Sequence, residues 1–173
     1  MKLSLMLEIM ILFSAMSCNR LQKSSEAIAA NELLITTTLS TYMDSCWNQG
    51  DITSMKDITI KNFIRNLNGI NVATSHSEMQ AHMAVFFKGF PDLEVKLDST
   101  YIQGNAIFTH WTSTGTHTGI FGEIAATGKK VDINGLSHLY FNTEGKLVRE
   151  NVVFNEWQLL QQLGYTLTPP IME

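Results

Sequence analysis

Charge is scarce in this chain. Asp, Glu, Lys and Arg make up 16% of its 173 residues, with 12 basic side chains against 16 acidic ones and a net charge of −4. There is no Lys/Arg run, so no basic stripe is available to hold a phosphate backbone, and a nucleic-acid partner is not expected. Cysteine is nearly absent: Cys18 and Cys46 do not make a disulfide framework. No two of the 5 histidines have the close spacing of a zinc site, and no carboxylate cluster accompanies them. A structural or catalytic metal is therefore not expected. There is no internal repeat and no low-complexity stretch. What is present is a 45% hydrophobic composition with 9 Phe and 9 Met. That is a globular composition, suited to a core or to a pocket for an apolar ligand.

Residues 1–18, MKLSLMLEIMILFSAMSC, read as a leader. Lys2 starts it, an apolar stretch interrupted by Glu8 runs to Phe13, and Ser14, Ala15 and Ser17 precede Cys18. The pattern resembles a bacterial lipoprotein signal, with cleavage before Cys18 and lipid on its thiol. The chain is then expected to be exported and held on a bacterial membrane in the cell envelope. Glu8 and the bulky Met16 depart from the pattern. An ordinary secretory signal, leaving a periplasmic or secreted protein, and a retained N-terminal helix are the alternatives. Residues 19–25 read as a polar tether and residues 26–173 as one domain, of ordinary size for a single core.

Along that domain, Ile28, Ile35, Leu39, Tyr42 and Cys46 recur at helical spacing, predicting a helix over Glu26–Asn48 that stops at Gly50. Asp51 is placed to cap a short helix around Ser54 and Met55. Phe63 and Ile64 suggest a short edge strand, and residues 66–71 a loop. Ser75 and Glu78 form a capping box for a helix with Met79, Met83 and Phe86 on one face, ended by Gly89 and Pro91. Strands follow: one with Leu93, Val95 and Leu97 alternating with charge, then Ala106–Thr116, Val131–Phe141 and Lys146–Asn155. Gly104-Asn105 joins the first two as a hairpin, and a Gly-rich connection over Gly115–Lys130 precedes the third. Glu156–Leu163 is a closing helix stopped by Gly164. About three helices over one face of a curved antiparallel sheet make an α+β cone enclosing one pocket.

Six segments carry a family resemblance: FPDL at Phe90–Leu93, GTHTGIF at Gly115–Phe121, TGKKV at Thr127–Val131, GKLV at Gly145–Val148, VVFN at Val152–Asn155 and LLQQLG at Leu159–Gly164. In this order and spacing they resemble the SnoaL-like polyketide cyclase (ester cyclase) family of the nuclear transport factor 2-like superfamily, from about Glu26 to Gly164. The resemblance implies a metal-free, cofactor-free enzyme that closes a polyketide ring by intramolecular aldol condensation. An aspartate at the end of the last strand is the general acid/base in such enzymes. In this chain Asn155 fills that position, and an amide cannot take a proton from carbon. Arg149-Glu150-Asn151 departs from the family pattern too, as does His110, which stands where relatives often place an Arg.

These readings nominate His110 and His138 as replacement bases, because imidazole titrates near neutral pH; each is alternatively a hydrogen-bonded structural histidine. Asn155 is either a hydrogen-bonding pocket residue or a surface residue at the strand end. Strand alternation groups Phe108 and Thr112 with His110, Tyr140 with His138, and Asn151 and Val153 with Asn155, as the expected pocket lining. Tyr140 is a candidate to orient a carbonyl oxygen, with a half-buried strand tyrosine as the alternative. His117 is read as shaping a turn, His76 and His82 as solvated or packed, Cys46 as a core residue. Trp111 lines either the pocket or a subunit contact. Three functions remain open: a cyclase- or isomerase-type enzyme on a small carbonyl compound, a non-catalytic binder of a small apolar ligand, and an interaction module. The superfamily resemblance implies a homodimer through the open face of the sheet.

Overall fold

The computed structural model describes residues 2–169, with side chains from residue 22 onward. Helix α1 spans Lys2–Thr41 and passes without a break into a π-helical segment, Tyr42–Asn48. Residues 19–25, expected as a tether, belong to this helix, and Gln22 donates to Glu26 one turn on (3.2 Å). Cys18 lies within α1, its side chain outside the described residues. Among the described residues no helix is long and apolar enough to cross a membrane. Ile35, Leu39, Tyr42 and Cys46 are buried along one stripe, as their spacing predicts, whereas Ile28 is exposed. The weak helix formers Thr37 and Thr41 return their hydroxyls to the carbonyls of Leu33 (2.8 Å) and Thr37 (3.0 Å), which satisfies them inside the helix. Gly50, at φ +69°, ends the run.

Asp51 accepts from Thr53 N–H and caps the short turn that leads into α2, Met55–Ile58. Strand β1 then runs Thr59–Leu67, and β2 runs Ile70–Ala73. The expected loop over 66–71 is therefore a hairpin. Asn68 (φ +49°) and Gly69 (φ +93°) both sit in the left-handed region that a tight two-residue hairpin turn requires. Helix α3, His76–Gly89, starts at Ser75, whose hydroxyl accepts from Glu78 N–H, while Glu78 bonds back to Thr74. Strands β3 (Glu94–Gln103), β4 (Ala106–Thr116), β5 (Lys130–Phe141) and β6 (Leu147–Phe154) form an antiparallel meander, and α4 (Glu156–Leu163) closes the chain.

The six strands lie in the order β2-β1-β6-β5-β4-β3. Strand β1 is thus internal, not an edge, and it pairs parallel to β6. The sheet is mixed, because the chain returns to β1 only after the whole meander, a crossover long enough for parallel pairing. The side of the sheet under the helices carries Ile107, Thr109, Trp111 and Ser113 from β4 and Val131, Ile133, Ser137, Leu139 and Phe141 from β5. On β6 the register slips between Tyr140 and Phe141 of its partner, leaving Val148 as an extra residue. That bulge switches the alternation, so Leu147 and then Glu150 and Val152 all point inward.

Three side-chain amides hold both backbone groups of one distant residue. Asn48 grips Val95 of β3 (2.7 and 3.0 Å), Asn68 grips Phe154 (both 3.1 Å), and Gln162 of α4 grips Asp132 of β5 (both 2.7 Å). They dock the helices and the hairpin on the sheet without apolar area.

Gly135 of β5 lies directly beneath the Trp111 ring, and a methyl added there would meet that ring and sit 2.8 Å from the Val153 carbonyl oxygen. Gly135→Ala is expected to destabilise the protein by about 1–3 kcal/mol through overpacking, read as a lowered midpoint of urea denaturation. An unchanged midpoint would refute this packing.

Candidate functional site: a cavity over a buried ion pair

The inner face of the sheet, the π-helical segment and α3 leave one space between them. Its walls are apolar: Met43, Trp47 and Phe86 from the helices, Leu93 from the turn before β3, Val95 from β3, and Leu67, Trp111, Val152 and Phe154 from the rest of the sheet. The void and its open mouth together measure about 520 Å³. The polar lining is Arg65, Ser113, Ser137 and Glu150.

Arg65 and Glu150 are direct neighbours across the parallel β1–β6 pair. They form a buried ion pair, with 7% and 1% of each residue exposed. Arg65 Nη1 donates to Glu150 Oε2 and to Tyr42 Oη (3.0 Å). Tyr42 Oη donates to the same Oε2 (2.7 Å), and Ser137 Oγ donates to Oε1 (2.9 Å). Trp111 Nε1–H donates to Ser137 Oγ (3.1 Å), and the Arg65 guanidinium lies 4.9 Å from the centre of the Trp47 ring. Burial, followed by the Glu150 charge, pushes the Tyr42 phenol well above its ordinary range, so it stays a donor. Burial works to lower the Arg65 guanidinium, but Glu150 and Tyr42 together outweigh it and shift it upward. Glu150 Oε2 thus accepts from two donors and Oε1 from one, three of the roughly four bonds a carboxylate can accept. Arg65 Nε is buried and has no partner.

The residues expected to line the pocket lie on the opposite face of the sheet, which corrects that expectation. Phe108, Tyr140 and Val153 are exposed, and Thr112 and Asn151 are half-buried there. His110 shares that face, half-exposed, with Nδ1 3.7 Å from Asp98, whose carboxylate also accepts from Thr112 (2.7 Å). His138 is sandwiched between Phe108 (3.7 Å between ring centres) and Tyr140 (3.9 Å), with its Nδ1 2.8 Å from the Tyr140 hydroxyl. Asn151 accepts from Arg149 Nε (2.8 Å). Asn155 is exposed and caps α4, accepting from Gln158 N–H (3.2 Å). On β4 and β5 both parities carry apolar and polar residues, so alternation alone did not choose the face. On β6 the Val148 bulge reversed it.

Of the open alternatives, Trp111 lines the cavity. His117 is buried, its Nδ1 3.0 Å from the Thr127 hydroxyl in the turn after β4. His76 pairs with Thr59 (2.6 Å). Cys46 is buried, and burial together with Asp51 pushes its thiol up to about 12, so it stays protonated. Among the described residues no three His, Cys, Asp or Glu gather as a metal group. Neither Arg65 nor Glu150 is among the residues that the sequence nominates for the site. The signal for Arg65 was a charge at the centre of the alternating set Phe63, Arg65, Leu67; that for Glu150 was legible only after the bulge is known.

Residues 37–163 match the family model for SnoaL-like polyketide cyclases. Among solved structures, a candidate SnoaL-like polyketide cyclase from Jannaschia sp. CCS1 is similar at 19% identity and a TM-score of 0.70, covering 80% of this chain and 94% of its own. AclR, a candidate hydroxylase from Streptomyces galilaeus, is similar at 26% identity and 0.65, covering 79% and 97%. IdmH, a candidate polyketide cyclase from Streptomyces antibioticus, reaches 17% and 0.65, covering 76% and 99%. No curated protein matches the sequence.

Two outcomes follow from the geometry. Asn155→Asp is expected to keep the α4 cap and create no enolisation activity, while Asn155→Ala lowers stability by about 1 kcal/mol; an enolising Asp variant would place this position in the site after all. His82 on α3 is held down to about 4 by burial and then by Arg65. Below about pH 6.5 the unfolded chain takes this proton first. His82 therefore contributes a loss of stability as pH falls from about 6.5 to about 4, levelling off below. Denaturation midpoints across that window are expected to fall less steeply in His82→Gln; parallel profiles would refute it.

Proposed function

The chain belongs to the SnoaL-like polyketide cyclase family, and from that premise we propose that it binds a small, largely apolar, carbonyl-bearing molecule in the cavity over Arg65 and Glu150. The observation that carries the reading is the unpaired donor on the cavity's polar floor. Apolar walls surround one ion pair whose carboxylate accepts from Arg65, Tyr42 and Ser137, while Arg65 Nε is buried without a partner. A ligand's carbonyl oxygen accepting from that donor would satisfy it. The two imidazoles nominated as bases, His110 and His138, face away from this space, which weighs against a reaction run by either. Anchoring to a bacterial membrane through lipid on Cys18, with an envelope location, is the matching proposal from the leader. A homodimer through the open sheet face is supported by its exposed Tyr101, Phe108, Leu136 and Val153.

One observation favours a second reading. Glu150 is a buried carboxylate on the wall of an apolar cavity, the residue type that a cofactor-free cyclase or isomerase needs as its base. Deuterium uptake at the methyl group of acetophenone, followed by NMR, separates the two, alongside native mass spectrometry of protein from its own host. Binding alone predicts a co-purified small molecule and exchange no faster than in buffer. Exchange that is accelerated by the protein and lost in Glu150→Gln would establish the enzyme. A cavity that carries nothing and accepts no apolar compound would remove both readings.

A further inference from the structure

The Arg65 side chain ends in a flat group of three nitrogens, and its hydrogen bonds are unevenly spread among them. Nη1 makes both of them, to Glu150 Oε2 and to Tyr42 Oη (3.0 Å). Nε is buried with no partner, and among the described residues Nη2 makes no hydrogen bond either. The Trp47 ring lies against the guanidinium, 4.9 Å from ring centre to the guanidinium carbon. What remains is one edge. The covalent geometry of arginine aims Nε–H and one Nη2–H side by side, as a rigid two-pronged fork. The fork belongs to one residue, and that residue lines the cavity.

Two parallel donors at a fixed separation are matched best by two oxygens on one carbon. A ketone meets the fork with one atom. A carboxylate meets it with two, and its charge makes each bond roughly twice as strong as a neutral one. Glu150 does not exhaust the cation. Its charge is shared with Tyr42 Oη (2.7 Å) and Ser137 Oγ (2.9 Å), and it meets Arg65 through Nη1, away from the fork. It is also the sole acidic residue in the lining, whose walls are otherwise apolar. An edge without an acceptor is a desolvation cost in the empty protein, and an arriving acceptor removes it.

We propose that the cavity takes a small apolar monocarboxylate, held by both carboxylate oxygens on the Nε–Nη2 edge of Arg65. The assignment rests on the ligand reading of this cavity and names the polar end of that ligand. Arg65 is then a shared cation, with a protein carboxylate on one nitrogen and a ligand carboxylate across the other two.

Titration calorimetry near neutral pH with ethylbenzene, phenylacetone and phenylacetate tests it. Ethylbenzene reports the apolar cavity alone. Phenylacetone has the shape of phenylacetate with a methyl group in place of one oxygen. Phenylacetate is expected to bind about tenfold more tightly than phenylacetone, the lower end of what a hydrogen bond to a charged group contributes. Arg65→Lys keeps the charge and removes the fork, and there the ratio of the two affinities is expected to fall to about threefold or less. In the unaltered protein the Arg65 Nε–H NMR signal is expected to move downfield with phenylacetate and not with ethylbenzene, a readout that does not depend on a variant folding. If none of the three compounds binds, the cavity reading itself fails. If any of them binds but phenylacetate is held no more tightly than phenylacetone, or keeps its full advantage in Arg65→Lys, or leaves the Nε–H signal unmoved, the carboxylate site is overturned.

Discussion

A guanidinium and a carboxylate taken out of water together set the terms for the rest of this molecule. Arg65 and Glu150 stand opposite each other on the one parallel strand pair, and their desolvation is tolerable only because every nearby element contributes a hydrogen bond or a ring. Tyr42 comes from the π-helical segment, Ser137 from β5, Trp111 from β4, and Trp47 covers the guanidinium. Such a pair gains little over an apolar replacement, but losing one partner alone typically costs about 3–5 kcal/mol. It therefore acts as a registration device. It fixes how β1 lies against β6, and where the last helical turns of α1 and its extension sit over the sheet. The cavity is the space left when those constraints are met.

The same constraint shapes the chemistry. Family relatives are expected to keep an ionisable acid at the end of the last strand, and here that position is an amide spent on capping α4. The carboxylate that does face the cavity is five residues earlier and is committed to its neighbours. What the cavity offers is a shaped apolar enclosure with a polar floor, features suited to holding a molecule in one orientation.

The fold was largely legible. The stripe from Ile35 to Cys46, the Ser75–Glu78 cap, the Gly104-Asn105 turn and the α4 boundaries all follow from local chemistry, and local chemistry is what sequence reports. The Asn68-Gly69 turn carries the same kind of signal, and it makes a hairpin of the expected loop. The site was not legible, for two reasons. On β4 and β5, Trp111 and Ser137 occupy one face and Phe108 and His138 the other, so amphipathicity does not choose between them. On β6 the choice depends on Val148, an insertion in the ladder that only pairing with β5 defines.

Strand β3 forms one border of the sheet, and a border is where another chain's extended segment would ordinarily add. Asn48 already fills the outward donor and acceptor of Val95, so one rung of that border mimics an occupied ladder from within its own molecule. A strand from another chain that added across Val95 would have to evict this internal amide first.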